Sequence, residues 1–310
     1  MARKRKGRPI HGWVVIDKPA GMTSTEVVTA VRRALDAAKA GHAGTLDPIA
    51  TGILPVALGE ATKTVPYLMD AEKVYRFTAR WGEARSSDDT EGEVTGTSAA
   101  RPSGAAIRAA LPQFIGEVLQ RPPAFSAIKV DGARAYDLAR AGETVDLAPR
   151  LVYIAEACLL GCPDPDRAEL EVTCGKGTYI RALVRDLALA LGTLGHVEAL
   201  RRTRVGPFSE AESVPLDKFI ELGHDAPASG HLFAVETPLD DIPAVPITAN
   251  DAGRLRSGQA IHLRAGMKIP VPAADAADDP PILCTLGAGR PVALCSYEAG
   301  QLRPLRVFNL

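Results

Sequence analysis

Residues 41–63, GHAGTLDPIATGILPVALGEATK, enclose a lone acid, Asp47, among glycines at 41, 44, 52 and 59. Pro48 disfavours the helical region for the residue before it, so Asp47 is predicted to be extended. Glycine tolerates positive φ and lets another chain or a ligand come close to the backbone. A carboxylate displayed in this way can attack an electrophilic carbon. Between residues 41 and 59 there is no second carboxylate, no cysteine and no Ser-Gly nucleophile elbow.

A second group of residues carries positive charge. Residues 1–40 hold nine Lys/Arg against three acids, a balance of +6, and residues 176–204 hold six against two, a balance of +4. The whole chain is at −1, so the remainder sums to −11. Such segregation is what a basic groove on an acidic body produces. Composition sets the frame around it. A chain of 310 residues, 46% hydrophobic and 24% charged, suits a large globular domain with a smaller companion. Five cysteines, at 158, 162, 174, 284 and 295, argue for reduced thiols and a cytoplasmic setting. No His or Cys cluster completes a zinc site around Cys158 and Cys162, which read as packing residues, and no metal is implied. The basic start MARKRKGRPI lacks the apolar stretch and cleavage site of a signal peptide. No apolar run reaches the ~18 residues that span a membrane.

The elements that must position Asp47 follow from local pattern. GWVVID (12–17) reads as a buried strand, and Thr23 with Glu26 forms a capping box for a helix over 24–38. The stretch 41–59 reads mostly as loop, with a short helix over 62–69. In KVYRFTARW (73–81), Tyr75, Phe77, Ala79 and Trp81 alternate with polar residues, the period of a half-buried strand. EARSSDDTEGEVTG reads as an acidic loop and 104–118 as a helix interrupted at Pro112. Residues 121–142 read as an excursion with a short strand, an Asp131-Gly132 turn and a small helix. Strands are expected at 151–160, 168–174 and 196–206, and a helix at 179–191 with Leu183, Leu187 and Leu191 on one face and Gly192 as its stop. After residue 240 the texture changes. PLDDIPAVPIT reads as a linker, and RLRSGQAI, MKIPVP, ILCTLGAG, PVALCSYEAG and LRPLRVFNL as strands of a small β module, with a surface loop at 270–281.

The 41–63 stretch closely resembles the signature of bacterial TruB-type pseudouridine synthases. The resemblance continues in family order through IDKPAGMTS (16–24), KVYRFTARWG (73–82), RPPAFSAIKVDGARAYDLAR (121–140), GKGTYIRALVRDLA (175–188) and EALRRTRVGPF (198–208). It implies an α+β fold, with a mixed, largely antiparallel sheet and flanking helices, followed by a small PUA-like module. The organisation it implies is a basic tail at 1–11, a catalytic domain at 12–240 with an RNA-grasping excursion at about 121–150, and the module at 241–310. It implies isomerisation of the T-loop uridine of tRNA, at position 55, to pseudouridine. That reaction breaks N1–C1′, rotates the uracil and joins C5 to C1′. Nothing is consumed, so no cofactor is expected. Glycoside hydrolases need paired carboxylates, whereas a solitary one suits isomerisation. Attack at C1′ and attack at C6 of the base both remain open.

By the same resemblance Asp47 is the catalytic aspartate and Arg181 its partner. A carboxylate buried against a base loses hydration, and an adjacent cation offsets the loss. Tyr75 is implied to stack on the target base, an interaction that tolerates a rotating ring; whether it also removes the C5 proton stays open. Tyr179 and Leu200 are implied to line the uracil pocket, with Lys18 beside the site. His42 is implied to fill the gap left when the nucleotide leaves its stack. Lys129, Arg134 and Arg140, with Arg201, Arg202 and Arg204, are candidates for grasping phosphates. Phe125 stands where many members carry tyrosine, and Cys174 where others often have serine. The implied partner is the T-arm of tRNA, met by a monomer with no protein partner and no membrane. A tRNA-binding factor and a related synthase that works with guide RNAs are the alternatives; the weakly marked C-terminal module argues against the second. If the basic residues bind phosphates, affinity for a T-arm hairpin falls linearly on a log–log plot against salt, with a slope set by the number of contacts. A filter-binding titration across salt concentrations checks this.

Overall fold

The structure, a computed structural model, describes residues 7–126, 128–130, 133–140, 143, 145–263, 281–287 and 289–310, with the backbone alone at Lys129, Val130, Ala133, Arg134, Asp137, Ala139 and Arg140. The first apolar run forms β1 (Gly12–Lys18). The expected capping box then opens α1 (Ser24–Ala34): the Thr23 hydroxyl accepts from the Glu26 amide at 3.2 Å, and the Glu26 carboxylate accepts from the Thr23 amide at 2.8 Å. The helix stops before the expected residue 38. Asp36 takes a left-handed φ of 48°, and the Ala37 amide turns back to the Arg32 carbonyl at 2.9 Å, closing the end.

Residues 41–59 are a larger departure. They contain β2 (Ala40–His42) and β3 (Thr51–Leu58) instead of mostly loop. From Gly52 to Leu58 every residue of β3 is buried, so it lacks the alternation that marks a half-exposed strand. Gly52 has φ 97°, and a Cβ there would stand 2.1 Å from the Arg202 carbonyl oxygen. Only glycine lets the two chains meet at this point. A short 3-10 turn (Gly59–Lys63) leads into α2 (Val65–Asp70).

β4 (Lys73–Trp81) has the expected inward face. The acidic stretch after it contains the hairpin of β5 (Glu83–Arg85) and β6 (Val94–Thr97). α3 (Gly104–Ala110) ends in a turn at Leu111–Phe114, and the chain then becomes β7 (Gly116–Gln120) instead of continuing as helix to 118. Pro112 supplies no amide donor, and Gly116 at φ 91° redirects the backbone. In the excursion β8 (Lys129–Val130) pairs with β9 (Ala133–Arg134) before α4 (Ala135–Arg140); the Asp131-Gly132 turn lies outside the described residues. β10 (Arg150–Asp164), β11 (Arg167–Cys174), α5 (Ile180–Ala190) and β12 (Gly195–Val205) follow, then β13 (Phe208–Ser209), β14 (Val214–Pro215) and α6 (Leu216–Leu222).

The order β14-β1-β3-β12-β4-β11-β10-β7 builds one mixed sheet, to which β2 and β13 attach. Only β1 with β14 and β3 with β12 run parallel; the other pairs are antiparallel, as expected. Val27 and Val31 of α1 and Leu183 and Leu187 of α5 pack in one cluster with Val14, Leu54, Phe77 and Leu170 of the sheet. Trp13, Val15, Ile53 and Phe208 pack in another, with Leu283, Leu294 and Phe308. The latter three belong to or follow a second sheet, ordered β15-β17-β18-β19-β16. Its strands are β15 (Ala244–Pro246), β16 (Ile261–His262), β17 (Ile282–Leu286), β18 (Arg290–Glu298) and β19 (Gln301–Val307).

Two readings of this region are corrected. The expected linker supplies β15, which pairs with β17, and most of RLRSGQAI belongs to α7 (Ala249–Arg256) and its end rather than to a strand. MKIPVP and, save for residue 281, the loop 270–281 lie outside the described residues. Cys162, read as packing, is exposed, and the five thiols are unpaired. Among the described residues no helix is long and apolar enough to cross a membrane. Gly52→Ala is expected to destabilise the protein by about 3 kcal/mol or more, because a left-handed φ and a backbone clash coincide. Urea unfolding followed by circular dichroism measures the difference.

Candidate active site

Asp47 lies in the link between β2 and β3, and that link is fastened by side chains from distant parts of the chain. Ser24, in the first turn of α1, donates to the Leu46 carbonyl at 3.1 Å and accepts from the Leu46 amide at 2.8 Å. Lys18, at the end of β1, donates to the carbonyls of Pro19, Met22 and Pro48 at 2.8, 2.6 and 3.2 Å. Arg202, on β12, donates from Nη2 to the Gly44 carbonyl at 3.0 Å and from Nε to the Ile53 carbonyl at 2.8 Å. Gly44 at φ 87° admits that guanidinium: a Cβ there would meet Nη1 at 3.2 Å. The acid thus sits on a stretch whose carbonyls are committed to two buried cations.

The expected cation does stand against it. Arg181 projects from the first turn of α5, and its Nε is 2.9 Å from Asp47 Oδ2. The contact is an ion pair and not an aligned hydrogen bond, since Nε has no hydrogen-bond acceptor in line. The Arg181 side chain is 4% exposed and that of Asp47 34%, so the guanidinium is sealed while the carboxylate still opens outward. The rest of the guanidinium is held from behind. Nη1 donates to the Ser87 carbonyl at 2.9 Å and lies 3.4 Å from Asp89 Oδ2, and Nη2 donates to the Phe125 carbonyl at 2.8 Å. Asp89 is 1% exposed and accepts from the Ser87 hydroxyl at 2.5 Å and the Glu91 amide at 3.0 Å. A buried cation whose two Nη atoms are both held by backbone carbonyls keeps one geometry. Asp47, Arg181 and Asp89 line a cavity of about 750 Å³ with Pro48, Phe125 and Tyr136.

Three of the other expected residues, Lys18, Tyr75 and Tyr179, lie within reach of the Asp47 charge. Burial is the leading influence on the pKa of all three; the charge of Asp47 adds to the rise in the two tyrosines and opposes the fall in Lys18. Burial pushes the Tyr75 phenol up, and Arg202 lies against its hydroxyl and opposes the shift. Tyr75 is therefore a neutral phenol at ordinary pH. Tyr179 is the N-cap of α5; its backbone amide donates to Gln120 Oε1 at 2.8 Å, and burial raises its phenol as well. His42 sits on β2 with a buried Nδ1 that has no partner; burial first, then Arg202, lower its pKa. Lys18 is 1% exposed, and burial brings it down to about 8 despite the opposing charge of Asp47.

Leu200 is buried opposite Phe77 on the neighbouring strand. It lines a second cavity, of about 490 Å³, with Ile49 and Thr51, and is not among the residues around the first. Arg202 is a correction. At 1% exposure it cannot grasp a phosphate; strand alternation turns it inward, while Arg201 turns out to pair with Asp17 and Glu210. Lys129 and Arg134 occupy the β8–β9 hairpin, and their side chains lie outside what the structure describes.

Ser87, Asp88 and Asp89 were not expected at the site. Their segment reads as a solvated acidic loop, yet Asp89 forms a bridge with Val197 of β12 and the Val197 amide donates to the Asp88 carbonyl at 3.0 Å. The one available signal was compositional: two adjacent acids, in a chain whose candidate site already contained an arginine in need of acceptors.

Two family models match the chain. One, described as TruB family pseudouridylate synthase (N terminal domain), matches residues 32–180, and the other, tRNA pseudouridylate synthase B C-terminal domain, matches residues 181–242. A Caulobacter vibrioides protein named tRNA pseudouridine synthase B is 54% identical over 314 residues, covering 100% of both chains. One of the same name from Rhodospirillum rubrum is 51% identical over 310 residues, again covering 100% of both. Among solved structures, a chain of an H/ACA RNP bound to a substrate RNA containing 2'-deoxyuridine gives a TM-score of 0.72 at 24% identity, covering 100% of this chain and 92% of its own, a likeness of fold alone. A chain of a Cbf5-Nop10-Gar1 complex gives 0.72 at 26% identity, covering 96% and 84%. With a braced acid and its buried guanidinium at the positions that the sequence motif marks, and with relatives matched from end to end, the chain belongs to the TruB family of pseudouridylate synthases, enzymes that isomerise uridine in tRNA.

Proposed function

We propose that this enzyme acts on the T-loop uridine of tRNA at position 55, with Asp47 as the nucleophile on a nucleotide extruded from its stack. The observation that carries the reading is the Asp47–Arg181 pair: an outward-opening carboxylate on the rim of a cavity, 2.9 Å from a guanidinium that is itself sealed from water. The full-length likeness to proteins named for tRNA, at 54% and 51% identity, favours tRNA over a guide-RNA substrate.

The chemistry needs few parts. Asp47 attacks C1′ or C6, the N1–C1′ bond breaks, the uracil turns, and C5 bonds to C1′. The proton on C5 leaves, N1 takes one up, and the carboxylate is released unchanged. Arg181 holds its charge beside the acid throughout, in a place where water cannot screen it. Tyr75, as a neutral phenol, offers a flat apolar face that supports the base before and after it turns. His42 occupies the gap in the RNA stack, which offsets part of the extrusion cost of a few kcal/mol. Lys18 fixes the Pro48 carbonyl and so the aim of Asp47, a positioning task that suits its full burial. Asp89 does not turn the site into a hydrolase pair, because its oxygens are taken by Ser87, Glu91 and Arg181. Phosphates of the T-arm then fall to basic residues other than Arg202, with Lys129 and Arg134 of the excursion as the foremost candidates.

Two measurements bear on this. With tRNA carrying tritium at uridine C5, wild type releases the label to water, and Asp47→Asn lowers the release roughly a thousandfold or more. Comparable rates in the two proteins would dispose of the nucleophile. Arg181→Met is expected to lower turnover by about a hundredfold or more while T-arm affinity changes only a few-fold, because the arginine acts on the acid and not on phosphates. Single-turnover kinetics paired with filter binding separate the two effects, and near-wild-type turnover would refute the pairing.

A further inference from the structure

Arg185 follows Arg181 by one turn of α5 and repeats its pattern of donors. Arg181 sends Nη1 to the Ser87 carbonyl and Nη2 to the Phe125 carbonyl. Arg185 sends Nη1 to Asp88 Oδ2 and Nη2 to the Arg121 carbonyl, both at 2.8 Å. Their Nε atoms part ways: that of Arg181 lies 2.9 Å from Asp47 Oδ2, and that of Arg185 donates to Asp186 Oδ1 at 2.9 Å. Residues i and i+4 share a helix face. Two guanidiniums therefore stitch the same pair of segments, 87–89 and 121–125, at two points.

The second stitch is built with care. Asp88 holds a left-handed φ of 59°, which is unfavourable for a residue with a side chain unless its surroundings impose it. The Val197 amide fixes its carbonyl and Arg185 its carboxylate. The side chains of Arg185 and Asp88 are 25% and 13% exposed, so the fork is shielded over most of its surface. Burial raises the Asp88 pKa, and the charge of Arg185 opposes that shift. A planar fork can hold a carboxylate and a carbonyl together; an ammonium group has no such fixed geometry.

We propose that Arg185 is a positioning residue for the isomerisation: by clamping Asp88 to the root of the excursion at Arg121, it keeps the Ser87 and Phe125 carbonyls where they hold Arg181 against Asp47. The proposal rests on the reading of Asp47 and Arg181 as the reacting pair. It follows from how Arg181 is held. Its two Nη atoms depend on segments that Arg185 also ties to α5, and a shift of an ångström in either one swings Nε off the carboxylate. Displacements of that size lower rates by up to about a hundredfold.

The test is single-turnover tritium release with enzyme in excess over C5-labelled tRNA, with hairpin affinity measured by filter binding on the same proteins. Arg185→Gln and Asp88→Asn are each expected to slow release roughly tenfold while leaving affinity at the parent value. Arg185→Lys, which restores charge without the fork, should stay as slow as Arg185→Gln. Combined with Asp89→Asn, the loss in Arg185→Gln should fall short of the product of the single losses, because both act through one loop. If Arg185→Gln does not fold, Asp88→Asn removes the same arm from the other side and decides the matter. Parent rates in both variants, a loss confined to affinity, or single losses that multiply would each overturn the proposal. Asp47→Asn, run alongside, separates the two ideas. Full release from it removes the reacting pair and this proposal together, whereas a dead Asp47→Asn beside an unimpaired Arg185→Gln removes the positioning role alone.

Discussion

A guanidinium almost without solvent is the constraint around which the site is arranged. Burying a positive charge is unfavourable by several kcal/mol unless its partners are well placed. Arg181 finds them on three separate segments: Asp47 after β2, Ser87 and Asp89 after β5, and Phe125 at the entry to the excursion. Each segment would be a surface loop by itself. The requirement to satisfy one cation draws them together, and of the two acids that meet it Asp89 is buried while Asp47 opens outward. Lys18 and Arg202 extend the same logic to the other side of the acid, where backbone carbonyls serve as acceptors.

How much of this was legible in the sequence depended on range. The capping box of α1, the alternation of β4 and the leucine face of α5 are local patterns, and each produced the element it announced. β3 was hidden because a strand buried on both faces, carrying a glycine and a proline, shows no period and reads as punctuation. Arg202 was misread with its neighbours as one basic patch. Two-residue alternation along β12 sends Arg201 to solvent and Arg202 inward, so the information was present but was overridden by charge counting. Asp47 and Arg181 were legible because a family motif marks them. Asp89 was not, because its role exists only through contacts with residues about a hundred positions away.

The second sheet is joined to the first by hydrophobic packing and not by a tether alone. Leu283, Leu294 and Phe308 share a buried cluster with Trp13, Ile53 and Phe208, and Phe208 meets Trp13 with ring centroids 6.0 Å apart. Lys63 and Glu60 add hydrogen bonds to the Val307 carbonyl and the Asn309 amide, at 2.7 and 2.8 Å. A module anchored this way keeps a fixed distance from the Asp47 loop, whose neighbour β3 contributes Ile53 to the same cluster.

The parallel join of β3 to β12 also bears on biosynthesis. β3 is complete once residue 58 has left the ribosome, yet its neighbour Arg202 and the partner Arg181 emerge far later. At typical elongation speeds that delay is on the order of ten seconds. Throughout it the nascent chain carries Asp47 on a loop for which the braces from Ser24 and Lys18 are already synthesised but that from Arg202 is not, beside a strand edge that still lacks β12. The ion pair and the Arg202 brace are therefore completed only after residue 202 has emerged, two thirds of the way along the chain.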